Sequence, residues 1–328
     1  MSSSRTITLN SGYEIPVVGL GTWQSRPNEV AKAVEFALKC GYRHIDAAAC
    51  YENEIEVGAG IRASGVPRSE IFLTSKLWNT HHKPEDVEEA LDQTLADLAT
   101  DYLDLYLIHF PVAFIKPGDI RTRFPIHPET GAMHVIDVPD GETWKGLEEM
   151  VKKGKVRSIG VSNFTRERLE NLMKTAKIKP AVNQIEAHPY LQQPDLLRWL
   201  KSENIVAEAY SPSGNNIYSR PRGVDDPEVI KIAESLGRQP AQVLIQWAAQ
   251  RGTVVLPKSV TPQRILDNFE HFQLPEDAVQ RINKLDRNTR YNFPIRMGVD
   301  IFGEYDEETI RKGVQDWIEG QRRVAVAK

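Results

Sequence analysis

Cysteine is nearly missing from this sequence: Cys40 and Cys50 are the only two among 328 residues. A disulfide framework is excluded, and a reducing, cytoplasmic setting is expected. No run of about 18 apolar residues occurs, so no membrane-spanning helix is expected. The N-terminal MSSSRTITLNSGYEIP lacks the apolar stretch of a secretory signal. The C-terminal VAVAK is neither a prenylation box nor a peroxisomal tripeptide. Neither sign of charge dominates, and the net charge of −4 is mixed along the chain. That balance argues against nucleic acid or an anionic membrane as the main partner, while leaving room for a local basic site for a phosphorylated ligand. Two motifs are also missing. There is no H-x-H or H-E-x-x-H, so a zinc hydrolase built on His44, Asp46, His109 and His188 has little support, and no metal is expected. There is no G-x-G-x-x-G either: Gly19 and Gly21 lead into Trp23 and Gln24 with no third glycine in register.

What is present is a soluble composition with a large core, 41% hydrophobic and 26% charged. Thr6–Leu9, Asn10-Ser11-Gly12 and Tyr13–Ile15 read as a short hairpin. Short apolar runs follow at 17–21, 44–46, 71–76, 103–109, 156–161, 181–185, 205–210 and 253–258. Between and after them lie stripes at helical spacing, such as Val30, Val34, Ala37 and Leu38, or Val87, Leu91, Leu95 and Leu98. Pro27 is expected near the start of the first helix, and Gly41 ends it. Alternating strands and helices imply a parallel sheet, and eight units imply a closed (β/α)8 TIM barrel, with the hairpin plugging its floor. One domain is expected to span residues 1–328. Three stretches depart from the repeat: 111–140, 211–226 and the tail after Asp286. The first two follow strands, which puts these large loops on the C-terminal face, where barrel enzymes keep their sites.

The strand ends carry the chemistry. GYRHIDAAACYENE, residues 41–54, closes an apolar strand with Asp46, continues through three alanines, and reaches Tyr51. A phenol near a carboxylate suggests tuned proton transfer, provided a cation lowers its ordinary pKa of ~10. Lys76, at the end of the next strand, is the candidate: its ammonium would favour the phenolate, and Asp46 would hold the lysine. His109 closes the fourth strand and can hydrogen-bond a substrate oxygen. His44 reads as structure. The other strand ends bring Gly21, Thr22, Trp23, Trp78, Phe110, Ser162, Asn163, Gln184, Tyr210, Ser211, Lys258 and Ser259. Taken singly, each is as readily a satisfied polar or packing residue, but together they converge on one barrel mouth.

HIDAAACY, LTSKLW and LDLYLIHFP together resemble the aldo-keto reductase superfamily over nearly the whole chain. The resemblance implies that Asp46, Tyr51, Lys76 and His109 form a catalytic tetrad, with Tyr51 as general acid in reduction and base in oxidation. It implies NADP(H) bound in an extended pose, and hydride transfer to a small aldehyde or ketone. GVSN and VNQIE imply Ser162, Asn163 and Gln184 at the nicotinamide carboxamide. AEAYSP implies that Tyr210 stacks on the ring, with Ser211 and Pro212 along the pyrophosphate. LPKSVTPQRILDNF implies an adenosine site in which Lys258, Ser259 and Arg264 grip the 2′-phosphate and Asp267 and Asn268 contact adenine, with Val260 and Thr261 between. Asp267 stands where glutamate is more usual. Gly21, Thr22 and Trp23 border the same cofactor. Trp23, Trp78, His109 and Phe110 are the substrate residues, with Phe114, Asn292 and Phe302 as further wall candidates. Phe110 replaces a tryptophan common in aldose-reductase-like members, which implies a wider pocket there. Cys50 takes the place of another small apolar residue and reads as packing, not as a nucleophile. LNSGYEIPVVGLGTWQS, RYNFP and DIFGE are similar to fungal NADP-dependent glycerol dehydrogenase and glyceraldehyde reductase types, and SNF to xylose reductases. Reduction of glyceraldehyde, dihydroxyacetone or aldoses, or glycerol oxidation in reverse, is the activity implied. A xylose or aldose reductase of pentose catabolism is the alternative within the superfamily, and a cofactor-binding regulatory subunit without turnover is one of another class. A monomer is expected, as for many members.

Overall fold

Apolar runs that are buried on both faces pair in parallel, because helices cover the outer face and side chains fill the inner one. The computed structural model describes residues 5–214 and 220–326. Its eight parallel strands are β1 (Leu20–Gly21), β2 (His44–Asp46), β3 (Phe72–Leu77), β4 (Leu103–Ile108), β5 (Val156–Ser162), β6 (Val182–Glu186), β7 (Val206–Tyr210) and β8 (Val254–Leu256). They are hydrogen-bonded in chain order. Val18 bridges Val255 in parallel, and the Gly19 and Gly21 N–H groups donate to the carbonyls of Val255 and Pro257 at 2.9 and 3.0 Å. These contacts join β1 to β8 and complete the (β/α)8 ring. The hairpin Thr6–Thr8/Glu14–Pro16 lies across the floor, where Leu9 and Ile15 join Phe72, Leu105, Leu107, Val182, Val206 and Val254 in one apolar cluster.

The helices are α1 (Val30–Lys39), α2 (Glu54–Ser64), α3 (Val87–Leu98), α4 (Asp140–Lys152), α5 (Arg166–Met173), α6 (Pro194–Ser202), α7 (Pro227–Leu236), α8 (Pro240–Gln250), α9 (Pro262–Phe269), α10 (Glu276–Asn283) and α11 (Glu307–Val326). Three details extend the sequence reading. Pro27 lies near the start of α1, just ahead of the helix, which begins at Val30 after Glu29. The tail after Asp286, which departs from the repeat, carries α11, where Ile310, Val314, Trp317 and Ile318 fall at helical spacing. The loop 111–140 contains its own short antiparallel pair, Ala113–Phe114 with Val135–Ile136. Asn215 and Asn216 of the Ser-Gly-Asn-Asn stretch lie outside the described residues.

Helix α2 immediately follows the Asp46–Tyr51 segment, and glycine sets its seat. A Cβ on Gly60 would lie 2.4 Å from the Ala31 carbonyl oxygen of α1, and one on Gly58 would lie 2.5 Å from that of Leu98 at the end of α3. Gly60→Ala should gain up to ~1 kcal/mol of helix propensity and lose about 1–3 kcal/mol to backbone overpacking. A lower urea midpoint at unchanged m value is the expected result, and an unchanged or higher midpoint would show that α1 and α2 are not held this closely.

Candidate active site

The mouth of the barrel at the carboxyl ends of β2, β3 and β4 holds an ion pair. Lys76 is fully buried and Asp46 nearly so. The ammonium donates to both Asp46 carboxylate oxygens at 2.7 and 2.8 Å, to the Ala47 carbonyl at 2.9 Å, and reaches the Tyr51 hydroxyl at 3.3 Å. A buried ammonium needs such saturation to offset its lost hydration. After Asp46 the chain runs through the completely buried Ala47 and Ala48 into a single 3₁₀ turn, Ala49–Tyr51, that delivers the phenol. Larger side chains would not fit so close to the barrel wall. Glu52 leaves the turn with φ 58°. Asn53 then donates to the Thr22 carbonyl at 2.9 Å, and the Thr22 hydroxyl to the Asp46 carbonyl at 2.8 Å, which ties β1 to the same segment. The His109 ring stands edge-on to Tyr51, with centroids 5.7 Å apart.

The electrostatics correct one expectation. The Tyr51 phenol is not lowered by Lys76; it is raised well above its ordinary value, first by burial and then by the Asp46 carboxylate. The residue is partly exposed, yet its hydroxyl end lies against the buried pair. Lys76 cannot act there as a free cation, because the two Asp46 oxygens hold it at 2.7 and 2.8 Å, closer than the phenol at 3.3 Å. The phenol therefore keeps its proton and is suited to donate it. His109 is pushed well below its usual pKa by burial and by Lys76, so its imidazole is neutral. Burial likewise pushes the Cys50 thiol up to about 12, and its sulfur sits 3.5 Å from His109 Nδ1. A thiol this reluctant to ionise is a packing group.

These residues open into a cleft of ≈ 720 Å³. Gly21, Thr22, Trp23, Asp46, Tyr51, Trp78, His109, Phe110, Ser162, Asn163, Gln184, Tyr210, Ser211, Pro212 and Lys258 all line it. Cys50 and Asn292 line it too, whereas Phe114 and Phe302 sit behind, in the apolar cluster with Trp78, Phe110 and Met297. Lys76 lies beneath the wall. The polar residues opposite are already engaged with one another. Ser162 donates to the Gln184 carbonyl at 2.9 Å, Asn163 donates to the His109 carbonyl at 2.9 Å, and the Tyr210 hydroxyl donates to Asn163 at 2.8 Å. Beyond the cleft, Ser259, Val260, Thr261 and Arg264 surround the start of α9. That first turn has no acidic residue, and Lys258 approaches from the cleft rim. Asp267 accepts from Gln263 at 2.8 Å and Asn268 is buried, so these two present less to the surface than Arg264 does. Among the described residues, no group of three or more His, Cys, Asp or Glu side chains is arranged to hold a metal. No helix among them is long and apolar enough to cross a membrane.

A profile described as the Aldo/keto reductase family matches residues 17–287, the barrel and its site together. The chain belongs to this family. Among its relatives, the D/L-glyceraldehyde reductase of Hypocrea jecorina is 45% identical over 324 residues, covering 94% of this chain and 97% of that protein. Aldo-keto reductase family 1 member A1 of Homo sapiens is 44% identical over 302 residues, 88% and 91% of the two chains. The solved aldose reductase of Schistosoma japonicum aligns with a TM-score of 0.85 at 40% identity, over 92% of this chain and all of that one.

This aldo/keto reductase has cleft residues that its strand ends did not reveal. Phe124, from the 111–140 loop, packs edge-on to Trp78 at 5.6 Å and forms an outer wall. Arg222 and Arg296 approach from the loop after β7 and from the tail. No local spacing signals a wall built from loops that meet only in space. Glu208 is different. It is completely buried in β7, and a charged residue inside VAEAY was a visible anomaly.

Proposed function

We propose that this aldo/keto reductase is an NADPH-dependent reductase of small aldehydes and ketones, with glyceraldehyde, dihydroxyacetone and aldoses as the substrate class, which also runs polyol oxidation in reverse. One observation carries the reading: the Tyr51 hydroxyl stands in the cleft against the buried Lys76–Asp46 pair and beside a neutral His109. Tyr51 is the general acid that protonates the nascent alkoxide oxygen, and the raised pKa of its phenol keeps that proton available through neutral pH. Lys76 keeps the hydroxyl oriented, and Asp46 keeps Lys76 in place. His109 offers an N–H to the carbonyl oxygen, while Trp23, Trp78 and Phe110 exclude water from it. The name of the Hypocrea jecorina relative favours glyceraldehyde within this class. The whole chain is read as one barrel domain, acting as a monomer in the cytoplasm.

The chain's residues fit a phosphorylated dinucleotide. The start of α9 offers backbone N–H groups, Lys258 and Arg264 add positive charge, and no carboxylate of its first turn competes. Arg264 has no ion-pair partner among the described residues, and Ser259 supplies a hydroxyl at the same turn. When bound, the nicotinamide supplies the hydride. Ser162, Asn163 and Gln184 would hold its carboxamide by exchanging some of their present hydrogen bonds, and Tyr210 would flank the ring, with Ser211 and Pro212 along the phosphates. Gly21, Thr22 and Trp23 border the same path, and Val260, Thr261, Asp267 and Asn268 frame the adenosine end.

Loss of NADPH absorbance with glyceraldehyde, dihydroxyacetone, xylose and an aromatic aldehyde tests the reading, with glyceraldehyde expected to give the highest kcat/KM. Tight NADPH binding without turnover of any of them would instead mark a regulatory subunit. The double variant Lys258→Ala, Arg264→Ala removes two charge-assisted contacts of about 1.5–3 kcal/mol each. NADPH affinity should fall by about 100-fold or more while NADH affinity changes little, and equal weakening of both would remove the 2′-phosphate assignment.

A further inference from the structure

A second carboxylate lies in the barrel interior beneath the proposed proton donor, joined to it by an amide. Gln184 Nε2 donates to Asp46 Oδ1 at 3.0 Å and to Glu208 Oε2 at 2.6 Å, so both amide hydrogens are spent on bridging two acids. The other oxygen of Glu208, Oε1, is buried and has no hydrogen-bond partner. His44 Nε2 lies 3.4 Å from it. The donor count around that histidine is decisive. His44 Nδ1 faces the Pro16 carbonyl at 3.2 Å, and a carbonyl only accepts, so Nδ1 carries the hydrogen. Burial pushes the imidazole down to about 4, so the ring is neutral and Nε2 presents a lone pair. An ionised Glu208 would set a charged oxygen against that lone pair with no hydrogen between. The Thr74 hydroxyl, 3.3 Å from Nε2, can supply the histidine but leaves Oε1 with nothing. A proton on Oε1 resolves both deficits at once, because Glu208 then donates to His44.

We propose that Glu208 is a proton-linked positioning residue of this site: protonated, it anchors Gln184 and through it the Asp46–Lys76 pair; ionised, it places a second negative charge beneath Tyr51. This rests on the reductase reading given above. The groups facing Glu208 are few. From β2 come His44 and Asp46, from β3 Thr74 and Lys76, from β6 Gln184, and from the cleft Tyr51. Strands β1 and β8, over Leu20–Gly21 and Val254–Leu256, have no titratable side chain. Asp104 of β4 is held by Arg68 and Arg157, and Glu186 of β6 by His188. Lys76 is thus the one cation facing two acids, and Asp46 holds it. Burial and the Asp46 charge accordingly push Glu208 up to about 8, and the Glu208 charge in turn raises the Tyr51 phenol. The consequence falls on one direction of the reaction. Reduction needs the phenol protonated and tolerates either form of Glu208. Oxidation needs the phenolate, which an ionised Glu208 opposes.

Glu208→Gln keeps the shape of the protonated acid and cannot ionise. In the wild type, the folded chain retains a proton that the unfolded chain releases above the ordinary carboxylate range. The stability it confers is complete at low pH and is lost as pH rises to about 8. The melting temperature of E208Q, measured on protein without cofactor from pH 5 to 10, should gain on wild type across pH 5–8 and run parallel above. A pH-independent offset is what a purely structural role gives, and it overturns the proposal. In alcohol oxidation, the rise of kcat/KM with pH should shift to lower pH in E208Q, while the reduction profile moves little. A stability difference without that shift would show that Glu208 titrates but does not act on Tyr51, which also overturns it. Failure of the wild type to turn over any carbonyl substrate or alcohol would count against the reductase reading alone, since the melting curves decide the titration independently. If E208Q does not fold, infrared absorption of protonated carboxyl groups can be titrated on the otherwise native enzyme. A Glu54→Gln background removes the other buried glutamate pushed up, to about 7. A protonated glutamate persisting to about pH 8 supports the proposal, and its absence at pH 7 overturns it.

Discussion

Tyr51→Phe should lose aldehyde reduction by at least about 10²–10⁴-fold, the usual contribution of a positioned general acid, while NADPH binding and stability stay close to wild type. The substitution removes one oxygen and leaves the ring. Its packing against Trp23 and its edge contact with His109, at 6.4 and 5.7 Å between centroids, are retained. Lys76 loses its longest hydrogen bond but keeps Asp46 and the Ala47 carbonyl, so no buried charge is stranded. A stability change within about 1 kcal/mol is therefore expected, the net worth of an ordinary hydrogen bond. Steady-state kinetics with glyceraldehyde, NADPH titration by tryptophan quenching and a urea melt read the three quantities. Turnover within tenfold of wild type would mean that the proton comes from elsewhere. Because the phenol's pKa is raised, the wild-type reduction rate should also show no loss attributable to Tyr51 ionisation across neutral pH.

The barrel was legible because its strands are short, mostly apolar runs that recur between helical stripes. Val182–Glu186 and Val206–Tyr210 begin and end within one residue of where the sequence places them. The first strand was drawn too long: Val17 and Val18 instead make the contacts that close the ring with Val255. Helix α2 was hard to see, because Gly58 and Gly60 break its apolar stripe for the sake of close packing. The meeting of Asp46, Lys76, Tyr51 and His109 was readable from three neighbouring strand ends. The sign of the Tyr51 shift was not. Sequence places a lysine near a phenol, but it does not say that burial outweighs that cation or that Asp46 has already claimed it. His44 looked merely structural for the same reason. Its meaning depends on Glu208, which is 164 positions later by the numbering and faces it only once the barrel closes.

Lys76→Met should be the most damaging single change, and it separates support from chemistry. Removing the ammonium leaves Asp46 buried, with Gln184 as its remaining side-chain donor. Breaking a buried pair from one side typically costs about 3–5 kcal/mol, a large share of the roughly 5–15 kcal/mol that holds a domain folded. The double variant Asp46→Asn, Lys76→Met removes the stranded charge and should recover most of that stability, since a buried pair replaced on both sides is often close to neutral. Activity should not recover with it. Without the ammonium the hydroxyl loses the hydrogen bond that orients it, while burial and the neighbouring Glu208 still raise the phenol. Oxidation, which needs the phenolate, should then be lost to a greater extent than reduction, which needs only the proton. Urea midpoints and kcat in both directions distinguish the two effects. If the double variant regains stability and oxidation together, Lys76 is a structural partner of Asp46 and has no part in setting the proton affinity of Tyr51. If it regains stability while oxidation stays lost, the buried pair exists for Tyr51, and its cost in folding is the condition for a phenol that can both give and take a proton.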